Sequence, residues 1–219
     1  MGRRTAGAVV IASLLPPTVV VEERTDDVHG AAAVLPPGEE AAVVRAVASR
    51  RTEFTTGRVC ARAALDQLGA GVDAVAVGEG RAPVWPAGVV GAITHCTGFR
   101  AAAVAWASQV RSLGIDAEPH DPLPDGVLDA VSDAGERAVL AGLPAGVCWD
   151  KVLFSAKESV YKAWFPLARC WLGFSDAELT PAVDGTFTAR IRIDGPVAEL
   201  RGRWAVTGGL VLTAVALPV

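Results

Sequence analysis

Residues Trp149–Trp164 read WDKVLFSAKESVYKAW, and this stretch decides most of what the sequence can say about the fold. Its apolar residues recur at the spacing of one helical stripe, and Asp150 can accept hydrogen bonds from backbone N–H groups at the start. The spacing therefore predicts a helix. Glu158 and Lys162 lie one turn apart with the acid first, so a carboxylate and an ammonium group emerge from one face.

A lone Glu/Lys pair of this kind is usually an exposed ion pair worth about 0.3–0.5 kcal/mol, so the helix by itself does not indicate a site. A second acidic cluster, however, lies upstream. The apolar run that ends in GIDAE places Asp116 and Glu118 two residues apart. On a strand, residues i and i+2 share a face, so the two carboxylates could hold one hard cation. Glu158 would add a third carboxylate and leave positions for water and phosphate oxygens. The sequence therefore predicts a Mg²⁺ site, with Mn²⁺ as an alternative ion.

Three motifs resemble one known family. LGIDAEP at 113–119 and FSAKESVYKAW at 154–164 are similar to the paired motifs of the Sfp/EntD-type 4′-phosphopantetheinyl transferases. GAITHC at 91–96 is similar to a third family motif, with Ala92 where serine is usual. The resemblance covers nearly the whole chain and is strongest to the actinobacterial PptT-like branch. It implies transfer of the 4′-phosphopantetheine group from coenzyme A to a serine of an apo acyl or peptidyl carrier protein, with release of 3′,5′-adenosine bisphosphate.

The resemblance also implies roles for individual residues. Glu158 is expected to take the serine proton, directly or through a water molecule, and Lys162 to neutralise the leaving phosphate. Arg81 is expected to replace a lysine that relatives often carry near the nucleotide, since this chain has no lysine before Lys151. The residues expected to contact coenzyme A are Arg50, Arg58, Arg81, Thr94, His95, Lys157 and Lys162. From the residues alone, Arg58 and Arg62 could equally belong to a solvated basic helix face.

The chemistry leaves two alternatives from other classes open. Serine is a poor nucleophile and a pyrophosphate is strongly anionic, so the transfer needs a base, a divalent cation and positive side chains. A non-catalytic coenzyme A or nucleotide binding protein would not need all three carboxylates, which are present here. A magnesium-dependent nucleotide hydrolase would use water in place of serine, and the spacing alone does not exclude it.

The order of strands and helices predicts an α+β fold. The resemblance implies two lobes related by a pseudo-twofold axis, with the active site between them, although the two halves show no clear sequence repeat. Residues 1–111 would form the N-terminal, coenzyme A-binding lobe, and residues 112–219 the C-terminal lobe with the metal site and the catalytic helix. One predicted helix starts near Pro36–Gly38 and continues to Ala48, and further helices are predicted at 53–68, 126–130, 133–141 and 149–164. Strands are predicted at 18–23, 89–95, 100–106, 110–118 and 187–193, with a short strand between 72 and 80 that leads into Gly-Glu-Gly and a hairpin at 201–217.

Composition limits the class of protein and its partners. A net charge of −4 over 219 residues gives no overall attraction to nucleic acid or to anionic membranes. The four cysteines are widely spaced, which favours reduced thiols in a cytoplasmic protein. Arg3-Arg4 and the apolar run to Leu15 resemble a short secretion signal, but the run lacks a small-x-small cleavage site and meets Pro16-Pro17. We therefore expect a cytoplasmic monomer, since one chain supplies both lobes.

Overall fold

The structure is a computed structural model and describes residues 11–219. Residues 1–10 lie outside it, and with them the beginning of the predicted N-terminal lobe and most of the stretch compared with a secretion signal. The elements in chain order are β1 Val20–Arg24, α1 Pro37–Glu40, α2 Ala48–Leu68, β2 Val89–Cys96, β3 Phe99–Trp106, β4 Val110–Pro119, α3 Val127–Val131, α4 Ala134–Ala141, α5 Trp149–Ala168, β5 Ala177–Pro181, β6 Thr186–Ile191, β7 Glu199–Thr207 and β8 Leu210–Pro218.

Two antiparallel sheets divide the described residues. The first has the strand order β1-β3-β2, and the second has the order β4-β8-β7-β6-β5. Buried residues of α2, such as Ala61 and Leu65, pack with Val104 of the first sheet. Buried residues of α5, such as Leu153, pack with Leu179 of the second. The predicted α+β fold of two lobes is confirmed.

Several predicted elements form for the reasons that the sequence suggested. In β6 the apolar residues Phe187 and Ala189 are buried while Arg190 is exposed, as expected for period-two alternation. The β7–β8 hairpin turns at Gly208-Gly209, where φ is 58° and 76°. A two-residue turn of this kind needs positive φ at both positions, which glycine adopts without strain. Helix α5 runs from Trp149 to Ala168, four residues beyond the predicted end.

The helix predicted to reach Ala48 is wrong, because α1 ends at Glu40 and the chain turns before α2 begins. Val44 and Val47 belong to the apolar pattern that suggested the helix, yet their side chains are about 70% exposed. With no surface to bury those side chains, the helical pattern has no tertiary support. The strand predicted over 72–80 is also wrong. That segment contributes only an isolated bridge between Val77 and Pro83.

Strand β4 lies where the two lobes meet. Leu113, Ile115 and Ala117 alternate along β4 and are buried in a cluster with Ala103 of β3 and Leu212 of β8. The apolar core therefore continues from one sheet to the other behind β4. No helix within residues 11–219 is both long and apolar enough to cross a membrane.

Candidate active site

Alternate residues of β4 face α5 at four-residue intervals along the helix, and we call this the β4–α5 contact row. Ser112 Oγ donates a hydrogen bond to Ala163 O at 2.6 Å. Two residues along the strand, Gly114 lies against Ser159, and a Cβ atom at position 114 would overlap the Ser159 carbonyl oxygen. The absence of a side chain at Gly114 therefore allows the helix to approach the strand closely.

The contact row continues with charged residues. Ser155 Oγ donates a hydrogen bond to Asp116 Oδ2 at 2.8 Å, and Lys151 Nζ lies 3.8 Å from Glu118 Oε2. Two strand residues advance about 6.7 Å and four helix residues about 6 Å, so the two repeats stay nearly in step. This matched spacing delivers Asp116 and Glu118 to the face of α5, as the strand periodicity predicted.

Asp116 is the centre of a hydrogen-bond network and is only 5% exposed. Its Oδ1 atom accepts hydrogen bonds from Thr94 Oγ1 at 3.1 Å and from Lys162 Nζ at 2.7 Å. Lys162 also donates to the backbone oxygen of Ile115 at 3.0 Å. Groups from β2, β4 and α5 thus converge on one buried carboxylate.

The hydroxyl of Thr94 donates its hydrogen bond to Asp116. Thr94 is 2% exposed, and its Oγ1 atom also accepts the backbone N–H of Ala117 at 3.1 Å. Both hydrogen bonds of this buried side chain are made within the protein, and its contact with coenzyme A stays a prediction. Its position joins β2 to the edge of β4.

Three carboxylates share one electrostatic environment. Burial and the negative charge of Asp116 raise the pKa of Glu118 to about 7, and Lys151 and Lys162 partly offset this. Burial and Asp116 also raise the pKa of Glu158, while Lys162 lowers it. A cation placed among these groups would relieve the repulsion that raises both pKa values.

The three carboxylates do not, however, form a ready-made metal cage. Within residues 11–219, no three His, Cys, Asp or Glu side chains are close enough together to hold a metal ion. Asp116, Glu118 and Glu158, which were predicted to ligate the metal, are thus not assembled into one cluster here, and their role as ligands stays a prediction. Mg²⁺ is usually held by one or two carboxylates, with water and phosphate oxygens completing the shell. The donor chemistry therefore fits Mg²⁺ with a smaller set of direct ligands.

Arg50 and His95 form a polar group next to this network. Arg50 Nη1 lies 2.5 Å from His95 Nε2, and Glu53 Oε2 lies 3.5 Å from Arg50 Nη1 and 3.6 Å from His95 Nδ1. Burial and the positive charges of Arg50 and Lys162 lower the pKa of His95, against the effect of Glu53. A neutral His95 ring can accept a hydrogen bond from Arg50, and His95 directly follows Thr94, the β2 residue that is hydrogen-bonded to Asp116.

Arg58 is buried in α2, and none of the ion pairs found among the described residues involves it. It is 4% exposed, and its guanidinium carbon lies 4.6 Å from the centre of the Phe54 ring. Within residues 11–219, its Nε atom has no hydrogen-bond partner. Burial lowers the pKa of Arg58 to about 10, and the charges of Arg62 and Arg50 act in the same direction against Glu39. A buried arginine in this state would be stabilised by an anionic ligand.

Comparison with known proteins identifies the family. A family model for the 4′-phosphopantetheinyl transferase superfamily matches residues 112–215, and one for the 4′-phosphopantetheinyl transferase N-terminal domain matches residues 38–105. The 4′-phosphopantetheinyl transferase PptT of Mycobacterium tuberculosis is 53% identical over 187 residues, which cover 80% of this chain and 82% of that protein. This chain belongs to the 4′-phosphopantetheinyl transferase family. It is therefore an enzyme, and the resemblance of its three motifs is confirmed.

Two further relatives of this transferase are similar over most of their length. The 4′-phosphopantetheinyl transferase Svp of Streptomyces mobaraensis is 56% identical over 185 residues, or 80% of this chain and 75% of the relative. The 4′-phosphopantetheinyl transferase Npt of Nocardia iowensis is 45% identical over 189 residues, or 80% of this chain and 85% of the relative.

Lys157 of the transferase points away from the other predicted site residues. Its side chain is 3% exposed and forms an ion pair with Glu136 at 2.8 Å, and it donates a hydrogen bond to Phe174 O at 2.7 Å. Burial lowers the pKa of Lys157, although Glu136 opposes this effect. This enclosure by Glu136 and Phe174 argues against the predicted contact of Lys157 with coenzyme A, which stays a prediction.

Arg81 of the transferase lies on an exposed turn with φ of 63°. Its neighbour Gly80 packs directly against the ring of Phe165 in α5. No hydrogen bond or ion pair found among residues 11–219 joins Arg81 to the Asp116 network, so its role near the nucleotide stays a prediction.

Three polar residues of the transferase were missed by sequence reasoning. Ser155 supports Asp116, Glu53 lies beside Arg50 and His95, and Glu136 pairs with Lys157. A signal for Ser155 was present, because it lies three residues before Glu158 and therefore on the same helix face. For Glu136, the pattern Asp-x-x-Glu indicated only a capped helix start, and the structure contains that capping box.

Proposed function

We propose that the cleft formed by β2, β4 and α5 is where this transferase moves the 4′-phosphopantetheine group of coenzyme A to a serine hydroxyl of an apo carrier protein. The observation that carries this proposal is the convergence of Thr94, Ser155 and Lys162 on the buried Asp116 carboxylate. Glu118 and Glu158 experience its charge, and both have raised pKa values. A phosphoryl transfer between an anionic donor and a neutral hydroxyl needs this combination of charges.

Asp116, with Glu118 or Glu158, would hold the divalent cation, Mg²⁺ or Mn²⁺. When bound, the cation would stabilise negative charge on the pyrophosphate and on the departing phosphate. Support comes from the mutual repulsion of the carboxylates and from Lys162, whose ammonium group already lies 2.7 Å from Asp116 Oδ1. Lys162 would then neutralise the phosphate of the leaving 3′,5′-adenosine bisphosphate.

Glu158 would take the proton of the carrier serine, directly or through a water molecule. The serine oxygen forms a new bond to the β-phosphorus as the bond from that phosphorus to the bridging oxygen breaks. A carboxylate whose pKa is raised by burial and by Asp116 is a stronger base, once ionised, than an exposed one.

Arg50, Arg58 and His95 would bind the remaining phosphates of coenzyme A. Guanidinium groups suit this role because their fixed fork of donors matches phosphate oxygens. Support comes from the Nε atom of buried Arg58, which has no hydrogen-bond partner within residues 11–219, and from the contact of Arg50 with His95, which directly follows Thr94 in β2. Arg81 would contribute from the neighbouring turn.

Incubation of the enzyme with coenzyme A, Mg²⁺ and an apo carrier protein, followed by intact mass measurement, tests this function. Transfer adds one phosphopantetheine group to the carrier. A hydrolase would consume coenzyme A and leave the carrier mass unchanged, and a binding protein would change neither. A panel of apo carriers from fatty-acid, polyketide and nonribosomal peptide synthesis would then define the partner.

Glu158→Gln tests the assigned base. The amide keeps the shape but cannot accept the proton, so we expect transfer to fall by about 10²-fold to 10⁴-fold. Coenzyme A binding in the presence of Mg²⁺, measured by calorimetry, should persist. Glu199→Gln on exposed β7 is the matched control and should transfer normally. Near-normal turnover of Glu158→Gln would remove Glu158 from the reaction.

We also propose that the enzyme acts as a monomer in the cytoplasm. Thr94 of the first sheet and Asp116 of the second come from one chain, so the site needs no second subunit. The four cysteines are free, as expected in a reducing compartment. Sedimentation of a stable trimer would contradict the monomer.

A further inference from the structure

We propose that Ser155, supported by Thr213, is a positioning residue that fixes the Asp116 carboxylate for the cation. The inference rests on the proposed function, because it assigns a second layer of residues to the same site. Ser155 lies in α5 and Thr213 in β8, and both side chains are completely buried. Neither residue would touch coenzyme A or the carrier serine.

The contacts connect Thr213, Ser155 and Asp116 in sequence. Ser155 Oγ donates to Asp116 Oδ2 at 2.8 Å, and Thr213 Oγ1 lies 3.0 Å from Ser155 Oγ and 2.9 Å from Ser155 O. Asp116 and Thr213 are directly opposite each other in the β4–β8 ladder. The backbone register therefore holds the supporting hydroxyl beside the carboxylate.

The number of hydrogen atoms fixes the direction of this chain of hydrogen bonds. A carboxylate only accepts, so the single hydroxyl hydrogen of Ser155 is committed to Asp116. The hydrogen between the two hydroxyls must then come from Thr213, which shares it with the Ser155 carbonyl. The two atoms that accept this hydrogen, Oγ and the carbonyl oxygen, both belong to Ser155. Thr213 therefore holds both the side chain and the backbone of the residue that donates to Asp116.

The two oxygens of Asp116 differ in how they are held. Oδ1 accepts from buried Thr94 and from Lys162, which is partly exposed and cationic. Among the described residues, Ser155 is the donor found for Oδ2. Without Ser155 the carboxylate could rotate towards Lys162 and form a closer ion pair, and that ion pair would compete with the cation.

Ser155→Ala removes the hydroxyl with little change in volume, and α5 provides a matched control. Ser159, one turn further along, is equally buried, but its Oγ donates only to Ala156 O within its own helix. Mg²⁺ is titrated calorimetrically into each variant saturated with coenzyme A and without carrier. We expect Mg²⁺ to bind Ser155→Ala about 10-fold to 100-fold more weakly, the usual effect of losing a group that orients a metal ligand. Ser159→Ala should bind Mg²⁺ like the wild type, and Ser155→Cys, with its weaker donor, should lie between.

The outcomes separate this inference from the proposed function. Equal Mg²⁺ affinity of Ser155→Ala and Ser159→Ala, in a wild type that transfers normally, would overturn the positioning role alone. A wild type without Mg²⁺-dependent transfer would overturn the function. Should Ser155→Ala not fold, Thr213→Val takes its place. A several-fold weaker Mg²⁺ affinity would then support the role, and an unchanged affinity would overturn it.

Discussion

Each lobe contains a buried glutamate that ties a short helix to the long helix of that lobe, and the two arrangements can be compared residue by residue. In the N-terminal lobe, Glu39 of α1 is fully buried. One oxygen accepts the backbone N–H of Val75 at 2.8 Å, and the other pairs with Arg62 of α2. One carboxylate thus joins α1, α2 and the segment after α2.

The C-terminal lobe repeats the arrangement with Glu136 of α4. Its Oε1 atom accepts the backbone N–H of Leu179 at 2.8 Å, and the carboxylate pairs with Lys157 of α5. Glycine precedes the glutamate in both short helices, at Gly38 and Gly135. The pseudo-twofold relation of the lobes is therefore visible in a buried contact where no clear sequence repeat was found.

The comparison separates structural cations from cations available to the site. Arg62 and Lys157 are paired with buried glutamates, whereas Arg58 has no such partner and Lys162 points to Asp116. Lys157 and Lys162 lie in one short motif. Because they are five residues apart, their side chains point in directions about 140° apart around the helix axis. In the proposed function, each long helix would therefore supply one cation to its own lobe and another to the site.

The largest effect is expected when the buried pair of the C-terminal lobe is broken. Lys157→Ala leaves Glu136 charged and enclosed, so the free energy of unfolding should fall by about 3–5 kcal/mol in urea titrations. Arg201→Ala removes a surface cation paired with Glu199 and should change the free energy of unfolding by less than about 1 kcal/mol. Similar losses in the two variants would mean that the pair has no special role.

The corresponding change in the N-terminal lobe should cost less. The Arg62 side chain is 19% exposed, whereas that of Lys157 is 3% exposed, so water can partly replace Arg62 beside Glu39. We expect Arg62→Ala to lower the free energy of unfolding by about 1–3 kcal/mol, measured in the same titration. A loss larger than that of Lys157→Ala would reverse the order of the two lobes.

Arg58→Met should affect stability with the opposite sign. Replacing a buried, unpaired cation by an apolar side chain of similar length removes a desolvation cost, so stability should stay constant or rise by about 1–2 kcal/mol. The Michaelis constant for coenzyme A should rise about 10-fold, or about 1.4 kcal/mol, with a smaller change in kcat. An unchanged Michaelis constant would remove Arg58 from the proposed site.

The smallest effect concerns the titration of His95. Burial and the charge of Arg50 keep its pKa below the ordinary value of 6.5. The folded protein then binds this proton less readily than the unfolded chain, so stability should decrease as pH falls through 6.5. Arg50→Ala should move the His95 titration, followed by NMR, to higher pH. An unchanged or lower titration would show that the charge of Arg50 does not lower the pKa of His95.

Sequence periodicity predicted the elements that are defined by their own apolar spacing and turn residues. It failed where the extent of an element depends on contacts with residues far away in the sequence. Helix α5, strand β4 and the β7–β8 hairpin follow from apolar spacing and turn glycines. The start of α1 was predicted, but its end at Glu40 could not be, because Val44 and Val47 remain exposed in the fold. The same limit applies at the site. Asp116 was found from its motif, but the identity of its partners depends on which side chains the fold brings from 22 and 39 residues away.

The absence of a side chain at Gly114 has a consequence for motion. Because the backbone of β4 lies directly against α5 at Ser159, strand and helix have no layer of side chains on which to slide at that point. We expect them to move as one rigid body that carries Asp116, Ser155 and Lys162 together. Relative motion at the site would then occur at the boundary between β2 and β4, where the hydrogen bond from Thr94 to Asp116 would lengthen first.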